Sequence, residues 1–318
     1  MDLTSEWTAF DLSQIDSSTR EGDIRFLHLI KPLKMHQLSQ ISLGDVVLLS
    51  ASDDRGVIKN NGRAGAHQGP LEIRKALYRY TPHCENLNFN FYDLGEPKFS
   101  TDLSKDQQNL KTCIEKLLSH GATVILCGGG HDWGFCDSAA LAMVSSKESK
   151  THCVLNLDAH LDFRPYPQGP HSGSPFRQLM EIFPKTKLCE LGLQYICNSP
   201  KYVREAKSKG VFTYFLEDLH HNNQHLFDIA KNWFDQNPSA FHSLSIDMDG
   251  FEAMAGVSAS YPFGISPRDG LKTAFEAGKN SNLRTLGIFE TSPQYDQNHH
   301  TSRLAAQLIS EFIRGRSI

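Results

Sequence analysis

Short, continuous apolar segments recur along the chain and alternate with longer segments of helical periodicity. Most of the apolar segments do not alternate with polar residues, which is typical of strands covered on both faces in a parallel sheet. Eight segments have this character: 45–50, 89–94, 122–127, 152–157, 188–193, 211–216, 242–247 and 283–289. The pattern therefore predicts eight buried strands.

The intervening segments carry helix start and stop signals. Pro70 opens "PLEIRKALYRY", Ser104 precedes "KDQQNLKTCIEKLLSHG" with Gly121 as a stop, and Thr301 precedes "SRLAAQLISEFIRG". Strands and helices alternate almost throughout, which predicts a three-layer αβα fold with a mainly parallel eight-stranded sheet. Because no Pro/Gly/Ser-rich linker or internal repeat divides the chain, we expect a single α/β domain over residues 1–318.

The composition and charge of the chain bear on its partners and its location. The chain has 318 residues, a net charge of -4 and a pI near 6.4, so no basic field favours nucleic acid or an anionic membrane as a partner. The stretch 1–20 lacks the basic and apolar parts of a signal peptide, and no apolar run is long enough to span a bilayer. The seven cysteines form no CxxC pair. We expect a cytoplasmic protein with a small-molecule substrate.

Candidate metal ligands follow three of the predicted strands. In an open parallel sheet, ligands bind beyond the carboxyl ends of the strands. The segment after 122–127 reads "GGGHDWG", the segment after 152–157 reads "DAHLD", and the strand 242–247 runs into "DMD". Together these strand ends present His131, Asp158, His160, Asp162, Asp247 and Asp249.

The four aspartates of this set predict that cations bind at this edge of the sheet. Four carboxylates at one edge of a sheet would repel and raise one another's pKa unless positive charge neutralised them, and two divalent cations supply the matching charge. Mixed imidazole and carboxylate ligands suit Mn²⁺, Zn²⁺ or Fe²⁺, and the carboxylate majority favours Mn²⁺. Such a pair lowers the pKa of a bound water and provides hydroxide at neutral pH.

The same strings resemble the signatures of the arginase superfamily of ureohydrolases. "GGGHD", "DAHLD" and "SIDMD" stand in the family's order, and the likeness extends to "NNGRAGAHQGPLEIRKAL", "SGSPF" and "GIFETSPQYDQNHHTSRLAAQLI", covering most of 62–309. The resemblance implies an arginase-like fold, two Mn²⁺ per chain and a homo-oligomer, either a trimer or a hexamer. It is nearest to the members that hydrolyse N-formimino-L-glutamate to L-glutamate and formamide in histidine degradation.

The resemblance also implies roles for individual residues. One metal would be held by His131, Asp158, Asp162 and Asp247, and the other by Asp158, His160, Asp247 and Asp249. Asp162 would in addition accept a hydrogen bond from the metal-bound hydroxide that attacks the formimino carbon. Glu290, which follows the last predicted strand, matches the family glutamate that binds the nitrogen-rich head of the substrate.

Three positions depart from the arginase pattern. Ser172 and Gly173 stand where arginases have a His-Gly implicated in proton transfer, which agrees with the formiminoglutamate-hydrolysing members. Glu252 replaces a further aspartate after Asp249, and Ala255 replaces the usual proline before "GVSA".

The substrate of the nearest members carries two carboxylates, so its pocket needs a cation. Arg164, two residues after Asp162, can hold a carboxylate in its planar fork. Arg63 in "NGRAGA" is the reserve candidate, and Ser172 is a further substrate contact.

Two other functions stay open from the sequence. The chain could be a ureohydrolase that acts on a guanidine, namely agmatine, arginine or guanidinobutyrate. It could also be a metal-binding relative without turnover, although the complete set of ligands is then hard to explain, because a buried carboxylate cluster is costly.

Overall fold

A computed structural model describes residues 7–15 and 22–318, so the stretch 1–20 considered above for targeting lies partly outside the described residues. The described part contains ten strands. They are β1 Trp7–Thr8, β2 Ile30–Pro32, β3 Val46–Ala51, β4 Phe91–Pro97, β5 Thr123–Gly128, β6 His152–Leu157, β7 Lys187–Leu193, β8 Phe212–Phe215, β9 Phe241–Asp247 and β10 Leu283–Phe289.

Eleven α-helices occur in the same described residues. They are α1 Phe26–Leu29, α2 Arg55–Lys59, α3 Gly69–Arg79, α4 Leu103–Ser119, α5 Gly134–Lys147, α6 Pro175–Ile182, α7 Pro200–Ser208, α8 Leu216–His221, α9 Leu226–Asp235, α10 Pro267–Lys279 and α11 His300–Arg316. Pro70 lies in the first turn of α3 as predicted. Helix α4 begins one residue before Ser104, because Asp102 caps it by accepting the Lys105 amide at 3.1 Å. No helix in the described ranges has the length and apolarity that a bilayer crossing requires.

The strands form one mainly parallel sheet in the order β1-β4-β3-β5-β10-β9-β6-β7-β8, with β2 also paired to β4. All eight predicted strands are present, and the predicted α/β class is confirmed. The predicted number of eight is wrong, because β2 pairs parallel and β1 antiparallel along the edge of β4. These two strands have three and two residues, which is too short for a hydrophobic pattern to reveal.

Helices cover both faces of the sheet, which explains the continuous apolar strand segments. Within β5, Ile125 and Cys127 join the apolar cluster that includes α3, α10 and α11. Val124 and Leu126 join the cluster on the other face, with α4 and α5. Since successive strand residues point to opposite faces, a strand between two helical layers is apolar at every position.

The strand order brings distant parts of the chain to one place. Strands β10 and β9 are inserted between β5 and β6, so β5, β10, β9 and β6 are neighbours at the centre of the sheet. Their carboxyl ends meet at the same edge, and each is followed by one or more of the residues singled out in the sequence. The topology therefore assembles the candidate site from segments up to 159 residues apart.

Candidate metal centre

A glycine turn brings His131 to the edge of the sheet. The turn follows β5 and is fixed by main-chain hydrogen bonds from Gly129 to Ala51 and from Gly130 to Asp53. A side chain at Gly129 would collide with the Asp53 carbonyl, so the close approach requires glycine. His131 then opens a short 3₁₀ turn that leads into α5, and its ring is fully buried against Phe289.

The first candidate ligand group contains His131, Asp158, Asp162 and Asp247. His131 Nδ1 lies 3.2 Å from Asp158 Oδ2, 2.9 Å from Asp162 Oδ2 and 3.1 Å from Asp247 Oδ2. None of these contacts has hydrogen-bond geometry, so the buried Nδ1 has no hydrogen-bond partner. The other ring nitrogen, Nε2, pairs with the Ser245 hydroxyl at 2.8 Å. In the neutral tautomer that carries its proton on Nε2, the imidazole directs the Nδ1 lone pair at the three carboxylates, an arrangement that requires a cation between them.

The second candidate group contains Asp158, His160 and Asp249. His160 Nδ1 lies 3.2 Å from Asp249 Oδ1 and 3.6 Å from Asp158 Oδ1, and the Tyr261 hydroxyl lies 3.4 Å from His160 Nε2. Asp158 thus contributes one oxygen to each group, which is one of the ways in which a carboxylate bridges two cations.

Asp247 is placed differently from Asp158. Its Oδ2 belongs to the first group, while its Oδ1 accepts the main-chain N–H of Asp249 at 2.8 Å. The structure brings Asp247 into the first group and not into the second, so its bridging role stays a prediction.

The pKa values of the site reflect the repulsion between carboxylates that the sequence predicts. Burial, together with the charge of Asp158, raises the pKa of Asp162 to about 6. Burial and the charges of Asp249 and Asp158 raise the pKa of Asp247 well above its usual range. Burial opposes charge on His131, but the surrounding carboxylates outweigh it and raise the pKa of the imidazole. Burial also opposes charge on Asp158, but its contacts with His131 and His160 outweigh burial and lower the pKa of this carboxyl. Without cations, the protons of the cluster are therefore held by Asp162, Asp247 and His131 more strongly than usual.

Glu290 faces the first group from the end of β10. Its Oε1 accepts the main-chain N–H of His131 at 2.8 Å, whereas its Oε2 is buried without a hydrogen-bond partner. Burial and the charge of Asp249 raise the pKa of this carboxyl to about 8. Glu290 has a φ of 65° and Asp162 a φ of 46°, a left-handed backbone that is unusual outside glycine. Such strain is characteristic of side chains positioned for function.

Arg164 and Ser172 lie together beside the candidate metal ligands. Exposed Arg164 lines a cavity of about 250 Å³ that also contains His160 and Asp162. Its Nη1 donates to Asn60 Oδ1 at 3.0 Å, and Asn60 Nδ2 donates to the hydroxyl of buried Ser172 at 3.0 Å. Arg164, the residue predicted to bind the substrate carboxylate, therefore lies at the entrance of this cavity. It is held there by Asn60, which the sequence analysis did not identify.

Arg63 is engaged in loop packing. Its Nε and Nη2 donate to the main-chain carbonyls of Ala255, Val257 and Ser258, and its guanidinium stacks on the Tyr295 ring at 4.2 Å. These contacts occupy the fork that a carboxylate would need, so they do not favour the reserve assignment of Arg63 to the substrate.

Two residues at or beside the departures from the arginase pattern also have clear positions: His171, which precedes Ser172, and Glu252. His171 Nε2 pairs with the Pro165 carbonyl at 3.1 Å, which ties it to its own loop. Glu252 is exposed to solvent after the turn that carries Asp249.

Several contacts of the site went unnoticed in the sequence. Ser245 precedes Asp247 by two positions on the same strand, so the two-residue period of a strand could have identified it. Tyr261 contacts His160 from a loop about a hundred positions further along the chain, and no local pattern indicates such a contact.

A family model of the arginase family matches residues 44–314. The chain belongs to the arginase family. The formimidoylglutamase of Geobacillus sp. (strain WCH70) is 30% identical over 313 residues, covering 97% of this chain and 94% of the relative. The formimidoylglutamase of Streptococcus pyogenes serotype M5 (strain Manfredo) is 32% identical over 278 residues, covering 84% of this chain and 83% of the relative. The resemblance to the family is thereby confirmed.

Solved structures show the same likeness. A variant of Trypanosoma cruzi formiminoglutamase with Mn²⁺ superposes with a TM-score of 0.81 at 25% identity, covering 93% of this chain and 98% of that one. Formimidoylglutamase from Bacillus subtilis gives a TM-score of 0.84 at 23% identity, covering 95% of each chain. The arginase-like fold predicted from the resemblance is confirmed.

The raised pKa values lead to a prediction about metal binding and pH. A divalent cation must displace the protons that Asp162, Asp247 and His131 bind up to higher pH than usual in the metal-free protein, since the pKa of Asp162 is about 6 and the other two are also raised. Mn²⁺ affinity should therefore rise with pH and weaken on acidification from pH 8 to 5.5, roughly tenfold per pH unit for each displaced proton. Calorimetric titration of the metal-free protein in two buffers of different ionisation enthalpy measures both the affinity and the released protons. Equal affinity at both pH values would contradict the prediction.

Proposed function

We propose that the protein is a binuclear manganese hydrolase of linear amidines that converts N-formimino-L-glutamate and water to L-glutamate and formamide. The observation that carries this proposal is the unpaired Nδ1 of His131, which faces three carboxylate oxygens in a group that shares Asp158 with a second one. The formimidoylglutamases among the relatives indicate the substrate.

Six residues would hold two Mn²⁺ ions. His131, Asp158, Asp162 and Asp247 are assigned to one ion, and Asp158, His160, Asp247 and Asp249 to the other. The metal pair, when bound, supplies hydroxide from water at neutral pH and positive charge for the developing anion. The ligand set is rich in carboxylates, which favours Mn²⁺ over softer metals.

The residues around this pair have separate tasks in the reaction. Asp162 accepts a hydrogen bond from the attacking water. The Oε2 of Glu290, which has no hydrogen-bond partner among the described residues, binds the N–H groups of the formimino head. The water oxygen bonds to the formimino carbon, the bond from that carbon to the glutamate nitrogen breaks, and the departing amine takes up a proton.

Arg164 accounts for the preference for a dicarboxylate. Its guanidinium lies at the cavity beside His160 and Asp162, and Asn60 holds one side of it while donating to Ser172. N-formimino-L-glutamate presents two carboxylates, whereas arginine presents a cationic amine beside its single carboxylate and agmatine presents only an amine. The cationic Arg164 repels such an amine. A carboxylate, by contrast, forms two hydrogen bonds with the fork of an arginine.

The architecture and the setting of the enzyme complete the proposal. We assign residues 1–318 to a single arginase-like domain, because the described residues share one sheet. Family likeness supports a homo-oligomer, a trimer or a hexamer. A cytoplasmic location is supported by seven cysteines that are all free, and a net charge of -4 gives no reason to propose a nucleic-acid partner.

Product analysis with alternative substrates tests the proposed function. The Mn²⁺-loaded protein should release formamide from N-formimino-L-glutamate and turn over agmatine, arginine and guanidinobutyrate far more slowly. Formamide, ammonia and urea are quantified separately for each substrate. Faster turnover of a guanidine would favour the other ureohydrolase activity, and no turnover of any amidine at full metal loading would favour a relative that only binds metal.

Replacement of the shared ligand should empty the site. Asp158→Ala removes an oxygen from both groups and leaves the other carboxylates repelling one another, so the variant should lose most bound Mn²⁺ and essentially all activity. Asp247→Ala should do the same. Elemental analysis after dialysis measures the metal, with Asp235→Ala on the surface of α9 as the control. Two metals per chain in either ligand variant would disprove the assignment.

Replacement of Arg164, the residue proposed to bind the substrate carboxylate, should weaken substrate binding and leave metal binding unchanged. Arg164→Ala should retain both Mn²⁺ ions and lose about 2 kcal/mol of transition-state binding, roughly a 30-fold fall in kcat/KM for N-formimino-L-glutamate. Arg204→Ala, which removes an exposed arginine from α7, is the control. A kcat/KM within a few-fold of the unmodified enzyme would argue against Arg164 as the carboxylate ligand.

A further inference from the structure

Two buried polar side chains lie next to Asp158 without belonging to either ligand group. Asn156 on β6 and Glu190 on β7 are register partners in the sheet, and both are 0% exposed. Because Asn156 precedes Asp158 by two positions, its side chain lies on the same face of the strand and beneath the site. A polar pair in a fully buried position costs folding free energy, so its presence calls for a functional reason.

The Asn156 amide nitrogen joins Glu190 to Asp158. Its Nδ2 lies 2.8 Å from Glu190 Oε2 and 3.3 Å from Asp158 Oδ2. An amide nitrogen carries two hydrogens, so it can donate to both carboxyl groups at once. Asn156 is therefore a donor bridge between an acid outside the ligand groups and the residue that both groups share.

Glu190 fixes the orientation of this amide. If the Asn156 side chain were turned over, its carbonyl oxygen would face Asp158 Oδ2, which would then receive no hydrogen from the amide. Glu190 accepts one of the two hydrogens, which leaves the other directed at Asp158 Oδ2. The glutamate thus acts on Asp158 through Asn156 and does not itself contact the ligand.

The second oxygen of Asp158 is held from the opposite side. Asp158 Oδ1 accepts the main-chain N–H of His160 at 2.7 Å. Each oxygen thus has a fixed donor, and together the two donors set the plane of the carboxylate. Since Oδ2 faces His131 and Oδ1 faces His160, that plane determines how Asp158 is shared between the two groups.

We infer that Asn156 and Glu190 form a positioning pair that orients the Asp158 carboxylate for the two metal ions. The inference rests on the proposed metal centre and adds two residues to it. Residues that orient metal ligands by hydrogen bonding commonly change metal affinity by about 10- to 100-fold when they are lost. The pair should therefore control Mn²⁺ affinity, because a freely turning carboxylate is a poorer bridge.

Four variants of the full-length protein test the positioning pair. Asn156→Leu removes the donor at similar volume, Glu190→Leu removes the acceptor that fixes the amide, and Glu190→Gln keeps an acceptor oxygen. Thr285→Val is the matched control, because it removes a buried hydrogen bond to Ser243 from the same sheet without touching Asp158. Each metal-free protein is titrated with Mn²⁺ by calorimetry, and its unfolding temperature is measured without metal.

Asn156→Leu should bind Mn²⁺ about 10- to 100-fold more weakly than the unmodified protein, and Glu190→Leu should be weakened to a smaller extent. Glu190→Gln and Thr285→Val should keep the original affinity, although Thr285→Val should lower the unfolding temperature. Unchanged affinity in Asn156→Leu, or an equal loss in Thr285→Val, would overturn the inference.

If Asn156→Leu does not fold, the Mn²⁺ affinities of the two Glu190 variants test the inference instead. Weak binding by Glu190→Leu that Glu190→Gln restores supports the positioning pair, and the same affinity in both variants overturns it. Metal binding is measured without substrate, so the result is independent of the proposed function. A protein that binds two Mn²⁺ and hydrolyses no N-formimino-L-glutamate would count against that function alone.

Discussion

Mutual repulsion among four buried aspartates is the constraint on which the site depends. Asp158, Asp162, Asp247 and Asp249 are each no more than 8% exposed and lie at the same edge of the sheet. Burial and neighbouring negative charge raise the pKa of Asp162 and Asp247, so full ionisation of the metal-free cluster is unfavourable. Divalent cations remove this penalty, and the two groups that share Asp158 match a pair of them.

The fold holds these charges together at the centre of a sheet that is covered on both faces. Insertion of β10 and β9 between β5 and β6 brings the ends of four strands together, and the packed helical layers prevent the strands from separating. Hydrogen bonds then orient two of the candidate ligands: the Ser245 hydroxyl pairs with Nε2 of His131, while Asn156 and the His160 amide donate to the carboxylate of Asp158. The scaffold thereby withstands a repulsion that would disperse side chains on flexible loops.

Much of the fold, and the residues that the structure gathers into the two candidate ligand groups, could be predicted from the sequence, because both produce local patterns. Buried parallel strands are continuous apolar runs, and "DAHLD" sets three ligand-type side chains at alternate positions directly after one of them. The edge strands β1 and β2 escaped prediction, since two or three residues carry no periodicity.

Contacts that depend on tertiary packing could not be predicted in this way. Asn60 holds Arg164 from 104 positions away, and Glu190 reaches Asn156 from the neighbouring strand. The contacts of Arg63 are of the same kind: the sequence offers it as the reserve substrate contact, and its hydrogen bonds to the carbonyls of a distant loop depend on tertiary packing. The motif gives the residue type, and only the packing reveals its partner.

Anomalous diffraction from crystals of the Mn²⁺-loaded protein tests the proposed centre most directly. We expect two manganese peaks per chain, with one ion bound by His131 Nδ1, the other by His160 Nδ1, and Asp158 bridging them through its two oxygens. A single peak, or two peaks that share no Asp158 contact, would contradict a binuclear centre built on this carboxylate.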